Sequence, residues 1–148
     1  MNPEFYMKKA LAMARKAYVA GEVPVGAVVV SSDGGKIISS AFNVVEKSRS
    51  VLGHAEIQAI KKAEKKIGGW RLNDCDMFVT LEPCPMCAGA IINSRINNLY
   101  YGASDDKACS KSIFESGGYN HTVNLFPGVL REECLSLIKT FFAERRKF

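Results

Sequence analysis

Over the first twenty residues, Met7, Ala10, Leu11, Ala14, Ala17 and Tyr18 fall at helical spacing from Phe5 onward, and Gly21 supplies a stop. An amphipathic helix is therefore expected to open the chain. Residues 25–30 and 36–42 are rich in apolar and β-branched side chains, and Ser32-Asp33-Gly34-Gly35 between them is turn chemistry, which predicts a hairpin. Beginning near His54, the positions Ile57, Ile60, Ala63 and Ile67 keep one helical face apolar while Lys61, Lys62, Lys65 and Lys66 point elsewhere, until Gly68-Gly69 ends the run. This second helix would carry His54 in its first turn.

Residues 77–81 read as a short strand, which Pro83 cannot continue as a central ladder member, and residues 84–94 as a helix. Residues 99–101 and 122–125 look like further strands, residues 110–115 a short helix, and residues 130–142 a last amphipathic helix. The predicted order is αββαβαβαβα. Five strands alternating with helices imply an α/β, three-layer α/β/α sandwich, because a lone sheet cannot bury both of its apolar faces. Its 148 residues suit a single domain spanning 1–148, with no linker, repeat or low-complexity segment.

No run approaches the ~20 apolar residues that cross a bilayer, and Met1-Asn2-Pro3-Glu4 lacks the basic start of a signal peptide, so the expected location is cytoplasmic with no membrane partner. Five cysteines, two of them in a Cys-x-x-Cys pair, fit reduced thiols or thiolate ligands better than a disulfide framework. A net charge of +5 permits a polyanionic partner without establishing one.

Zinc takes imidazole nitrogen and thiolate sulfur tetrahedrally, and a catalytic site uses three protein ligands and keeps the fourth position for water. His54, Cys84 and Cys87 supply those three, the cysteines sharing one side of a helix start that favours thiolate. Glu56, two residues beyond His54, is placed to reach a water at the metal without being an obvious ligand, which suits a proton shuttle for hydrolytic loss of ammonia. A purely structural zinc site would need a fourth ligand, for which Cys75, Cys109 and Cys134 are the spare thiols. Cys75 and Cys134 read instead as packing residues, and His121, with no cysteine or acid at metal spacing, as structural or RNA-facing.

His54-Ala55-Glu56 followed after a strand by Pro83-Cys84-Pro85-Met86-Cys87 resembles the signature of the zinc-dependent nucleobase deaminases. Glu22-Val23-Pro24-Val25-Gly26-Ala27, Asn43, Trp70-Arg71-Leu72, Val79-Thr80-Leu81-Glu82, Ser94-Arg95-Ile96, Tyr101-Gly102-Ala103, Asn120-His121 and Phe141-Phe142 extend the likeness, and over nearly the whole chain it looks like the bacterial tRNA adenosine deaminases. That resemblance implies a cytidine deaminase-like fold with a five-stranded mixed sheet, one Zn2+ per subunit, and a homodimer acting on a tRNA anticodon stem-loop. It implies conversion of adenosine to inosine at the wobble position, with zinc-bound hydroxide attacking C6 while Glu56 shuttles protons. Carried over by position, Asn43 contacts the purine, the Ala55 backbone helps hold it, and Pro83 lies against the leaving amine. Val25 joins the pocket, Asp105 and Lys107 fall near the flanking sugar and phosphates, and Phe142 and Arg145, with Phe141 and Arg146 beside them, lie near the anticodon loop.

Three segments depart from that family's pattern. Ser50-Val51-Leu52-Gly53 stands where Asp-Pro-Thr-Ala is usual, the turn at Gly34-Gly35 is about two residues longer, and Ala108-Cys109 replaces small residues and glycines. The first change adjoins the pocket and bears on how the target base or its neighbour is held. The same catalytic parts would serve a free purine base such as guanine, or a nucleoside. A zinc-stabilised scaffold is the third reading, and it needs no carboxylate at Glu56.

Overall fold

The computed structural model describes residues 2–108, 110–116 and 119–145. The expectations resting on Cys109 and Arg146 lie outside the described residues. Asn2 caps the first helix, α1 (Pro3–Val19), through its side-chain oxygen, which accepts from the Phe5 amide at 3.3 Å, and Pro3 occupies the first helical turn, where its missing N–H costs nothing. The hairpin follows as β1 (Gly26–Ser31) and β2 (Ile37–Phe42), antiparallel, with a bulge after Val29 that shifts the register by one residue.

A one-turn helix, α2 (Val45–Ser48), was not expected from the sequence. It is too short to have a period, and its own N-cap, Val44, makes no side-chain hydrogen bond. The next helix, α3 (Ala55–Ile67), ends on Gly68 at φ 84°, the left-handed conformation expected of a glycine there. His54 is the N-cap of α3 instead of a member of its first turn.

The strand β3 (Cys75–Leu81) begins two residues earlier than its apolar run suggested, so Cys75 is its first residue. Helix α4 (Pro85–Asn93), strand β4 (Asn98–Ala103) and helix α5 (Ser110–Glu115) come next. The strand expected at residues 122–125 appears as β5 (Asn124–Phe126), because His121 donates from Nε2 to the Ile96 carbonyl at 2.7 Å and the Asn124 amide reaches the Asn97 carbonyl before the ladder starts. Helix α6 (Arg131–Arg145) runs three residues past the predicted end.

The sheet order is β2-β1-β3-β4-β5, with β1 antiparallel to both neighbours and β3-β4-β5 parallel, the mixed five-stranded sheet that was expected. Val29, Met77, Val79, Leu99 and Tyr101 face α3 and α4, while Val28, Val30 and Phe78 face α1 and Cys134 of α6. Helices therefore cover both faces of the sheet, as the three-layer reading required. Gly26 lies so close to α1 that a Cβ there would overlap the Ala10 carbonyl and the Ala14 amide, which fixes the start of β1, and hence Val25 before it, against that helix. Among the described residues no helix is long and apolar enough to cross a membrane, and Cys75, Cys84, Cys87 and Cys134 are free thiols.

Candidate active site

Two helix N-termini converge beyond the C-terminal end of β3, the central strand. The chain leaves β3 through Glu82 and Pro83 and enters α4 with Cys84 as N-cap, Pro85 setting the first helical φ and Cys87 one turn inside. His54 sits at the equivalent N-cap of α3. Its Nδ1 lies 3.5 Å from the Cys84 sulfur and 3.5 Å from the Cys87 sulfur, and the three donor atoms all fall within 4.8 Å of one another. The sequence left the ligating nitrogen open, and the fold turns Nδ1 toward the sulfurs. Donors around a tetrahedral zinc at ordinary bond lengths are spaced about 3.6 Å apart, so this set fits such an ion in chemistry and in spacing.

The electrostatics of the trio are those of a proton shared between sulfurs. The hydrogen bond from Cys87 pulls the Cys84 thiol down to about 4, with His54 adding to the effect against the opposing cost of burial. The same bond, seen from Cys87, raises that thiol, and its burial raises it further. Hydrogen bonding to Cys84 lifts His54 above the ordinary imidazole value despite partial burial. Cys84 is the thiolate of the metal-free pair, and the helix end beneath it favours that charge. Beside them Glu56 is buried at 4% exposure, and desolvation pushes its carboxyl up to about 7.

His54, Cys84 and Glu56 border a cavity of about 420 Å³. Of the residues expected around a substrate, Val25, Asn43, Ala55, Asp105 and Arg145 line it together with His54, Glu56 and Cys84. Pro83 is buried next to Cys84 but outside the lining, Lys107 is exposed with its amide donating to Asp105 Oδ1 at 3.0 Å, and Phe142 is 40% exposed while Phe141 takes the place at the wall. Asn43 donates from Nδ2 to the Val23 carbonyl at 3.3 Å, and its Oδ1 is buried with no partner among the described residues.

Two carboxylates that sequence reasoning passed over shape the walls. Glu22, 3% exposed, accepts from the Glu46 and Lys47 amides at 3.0 and 2.9 Å and so supplies the cap that α2 lacks. Glu82 accepts from the Asp105 amide and from Ser110 Oγ, both at 3.0 Å, tying the segment after β4 to the end of β3. Their signal in the sequence was an acid directly beside Val23-Pro24 and another beside Pro83-Cys84. Arg145 donates to the Gly21 carbonyl and stacks its guanidinium over Phe141 at 4.6 Å, which clasps the last turn of α6 to the end of α1 at the cavity rim.

The family model for MafB19-like deaminases matches residues 1–146. The tRNA-specific adenosine deaminase of Bacillus subtilis (strain 168) is 44% identical over 148 residues, covering 97% of this chain and 91% of that protein. A solved tRNA:A34 deaminase, from work on A-to-I editing at the wobble position of transfer RNA, superposes with a TM-score of 0.85 at 37% identity, covering 90% of this chain and 98% of the other. The guanine deaminase from Nitrosomonas europaea also superposes at 0.85, with 26% identity over 96% of this chain and 85% of its own.

Proposed function

The chain belongs to the MafB19-like deaminase family, and we propose that it converts adenosine to inosine at the wobble position of a tRNA anticodon, consuming water and releasing ammonia. The observation that carries the chemistry is the His54, Cys84 and Cys87 donor set standing beside a buried glutamate, with His54, Cys84 and Glu56 lining one cavity. The substrate rests on the 44% identity to a tRNA-specific adenosine deaminase over nearly the full chain.

His54, through Nδ1, and the two cysteine sulfurs would hold one zinc ion in each subunit. Zinc bound there supplies Lewis acidity that brings the pKa of a water ligand to about 7. Glu56 does the proton work: its carboxylate takes a proton from the attacking water and delivers it to the ring nitrogen next to C6, then takes the second proton from the hydroxyl now on C6 and gives it to the amine, which leaves as ammonia as the C6 carbonyl forms. A carboxyl that burial holds near neutrality is matched to giving and taking a proton at cellular pH. Ala55 opens α3, so its backbone N–H has no intrahelical partner and is free to hold the purine.

The unpartnered Asn43 Oδ1 accepts from the bound nucleoside, and Val25 packs against the base. Pro83 stands behind the leaving amine. Asp105 and Lys107 meet the flanking sugar and phosphates, and Phe142 and Arg145 at the end of α6 meet the anticodon loop. Single-stranded loops make extrusion of the target nucleotide cheap. The protein works as a cytoplasmic homodimer.

The test is to incubate zinc-loaded protein with an arginine tRNA anticodon stem-loop carrying wobble adenosine and, separately, with guanine, adenine, adenosine and cytidine, following inosine and ammonia. Inosine confined to the wobble position is the expected result. Ammonia from guanine with the RNA untouched would keep the chemistry and replace the substrate.

A further inference from the structure

Residues 44–53 leave the Asn43 wall of the cavity and return at His54, and they include the segment that departs from the tRNA deaminase pattern. The loop is firmly built. Glu22 caps α2, the Val44 amide donates to the Gly53 carbonyl at 2.8 Å, the Gly53 amide to the Ser50 carbonyl at 3.0 Å, and the Leu52 amide to Ser50 Oγ at 3.1 Å. Gln58 Nε2, one turn into α3, holds the Leu52 carbonyl at 3.0 Å. Gly53 packs onto α2 so tightly that a Cβ there would come within 2.8 Å of Val45 Cα, so the alanine usual at this position would not fit this path.

What the built loop presents is unusual for a surface. Val51 is 75% exposed and Leu52 54% exposed, adjacent apolar side chains held outward by backbone hydrogen bonds. On the same loop Lys47 and Arg49 are exposed, and neither side chain forms an ion pair or a hydrogen bond among the described residues. Apolar side chains next to unpaired cations, continuous with a cavity through Val45 and Glu46, match the surface of an unstacked nucleotide, which offers an apolar base face and an anionic phosphate.

We propose that this loop is an RNA-reading platform. Val51 and Leu52 pack against the base or sugar of a nucleotide flanking the extruded one, and Lys47 and Arg49 take the adjoining phosphates. The proposal rests on the RNA-editing function and deepens it, making the loop a determinant of which loop sequences are accepted. A second copy of this chain is the competing occupant, and the cations argue against it because the chain is itself net positive.

The experiment compares wild-type protein, Val51→Ser/Leu52→Ser, Val51→Ile/Leu52→Met and Arg49→Gln on the wobble-adenosine stem-loop, with kcat and KM measured over a range of salt and mass measured by sedimentation. The serine pair leaves every backbone hydrogen bond in place. It is expected to raise KM about tenfold with kcat within about twofold, while the apolar pair keeps the wild-type KM. Arg49→Gln is expected to flatten the slope of log kcat/KM against log salt by about 0.7, the value for one contact to single-stranded phosphate. Editing by the wild type with KM and salt slope unchanged in the variants would overturn the platform alone. A fall in mass of the serine pair would overturn it in favour of a subunit contact. Wild-type protein inert on RNA and active on guanine would overturn the platform together with the function beneath it.

Discussion

Asn43 spends its amide on the Val23 carbonyl at 3.3 Å, and the consequence is a buried side-chain oxygen that no other group of the described protein satisfies. A buried acceptor without a donor is costly, and such groups persist where a ligand completes them. Asn43→Ala is therefore expected to lower kcat/KM about tenfold or more while changing stability little, since it removes an unsatisfied atom along with one hydrogen bond. Steady-state kinetics beside a urea midpoint decides it: a large loss of stability with catalysis intact would make Asn43 a structural residue.

Glu56→Gln should reduce kcat by about 10²–10⁴, the usual share of general acid-base catalysis, with zinc content and RNA affinity retained. Its burial also predicts a stability effect in metal-free protein. The folded carboxyl, near 7, lies above its ordinary value of 4.5, so its contribution to stability is fully present below 4.5 and is lost as pH rises through about 7. The difference in urea midpoint between Glu56→Gln and wild type should therefore move in favour of the variant from pH 5 to pH 8. A difference that stays constant over that range would mean the carboxyl is solvated.

Removing the metal should expose one thiol selectively. Cys84 is half-buried and depressed to about 4, whereas Cys134 is buried and raised to about 12, and Cys75 is buried and raised as well. Chelated protein treated with iodoacetamide at pH 6 should be alkylated at Cys84, at a rate that stays flat until the pH approaches 4 and then falls. Cys75 and Cys134 should remain unlabelled until the chain unfolds, and added zinc should protect Cys84. Peptide mass mapping reads the sites, and a Cys84 rate that climbs through pH 8 like an ordinary thiol would contradict the shared proton.

Glu22→Gln replaces one acceptor of the α2 cap with a donor facing an N–H. Loss of a buried charge-assisted bond is worth about 1.5–3 kcal/mol, and the expected destabilisation lies in that range. Because α2 carries Val45 and Glu46 at the cavity wall, KM for RNA should rise in the same variant while its metal content matches that of the wild type. Thermal melts and metal analysis separate the two effects, and unchanged KM would show that α2 keeps its place without the cap.

The long helices and the hairpin were legible because each is written locally, and the proximity of His54 to Cys84 and Cys87 was legible from two short motifs 30 residues apart. The apolar period of α1 and α3, the glycines after them and the turn at Ser32-Asp33-Gly34-Gly35 need no knowledge of the rest of the chain. The helix α2 was not legible, because its cap comes from Glu22, 24 residues upstream of Glu46. The place of Phe141 at the cavity could have been found: Cys134 was read as a packing residue, and Phe141 lies seven residues on, two turns along the same stripe of the last helix. The start of β5 was missed because His121 and Asn124 take carbonyls of residues 96 and 97, a tertiary arrangement that β-propensity does not report.

The donor set spans a separation of 30 to 33 residues and is joined through β3, which has a hydrogen-bonded strand on each side and buried residues on both faces. Segments of that kind exchange their amide hydrogens only when the whole molecule opens, whereas a one-turn helix, a surface loop and a chain end open locally at far lower cost. In this protein the reactive groups stand on helix ends joined through a segment of the first class, and several of the walls around them, in α2 and the end of α6, belong to the second. Mutations that reshape recognition therefore fall where they put little of the global stability at risk. Substrate range is free to drift on such a frame, and relatives of one architecture have come to act on a transfer RNA in one case and on guanine in another.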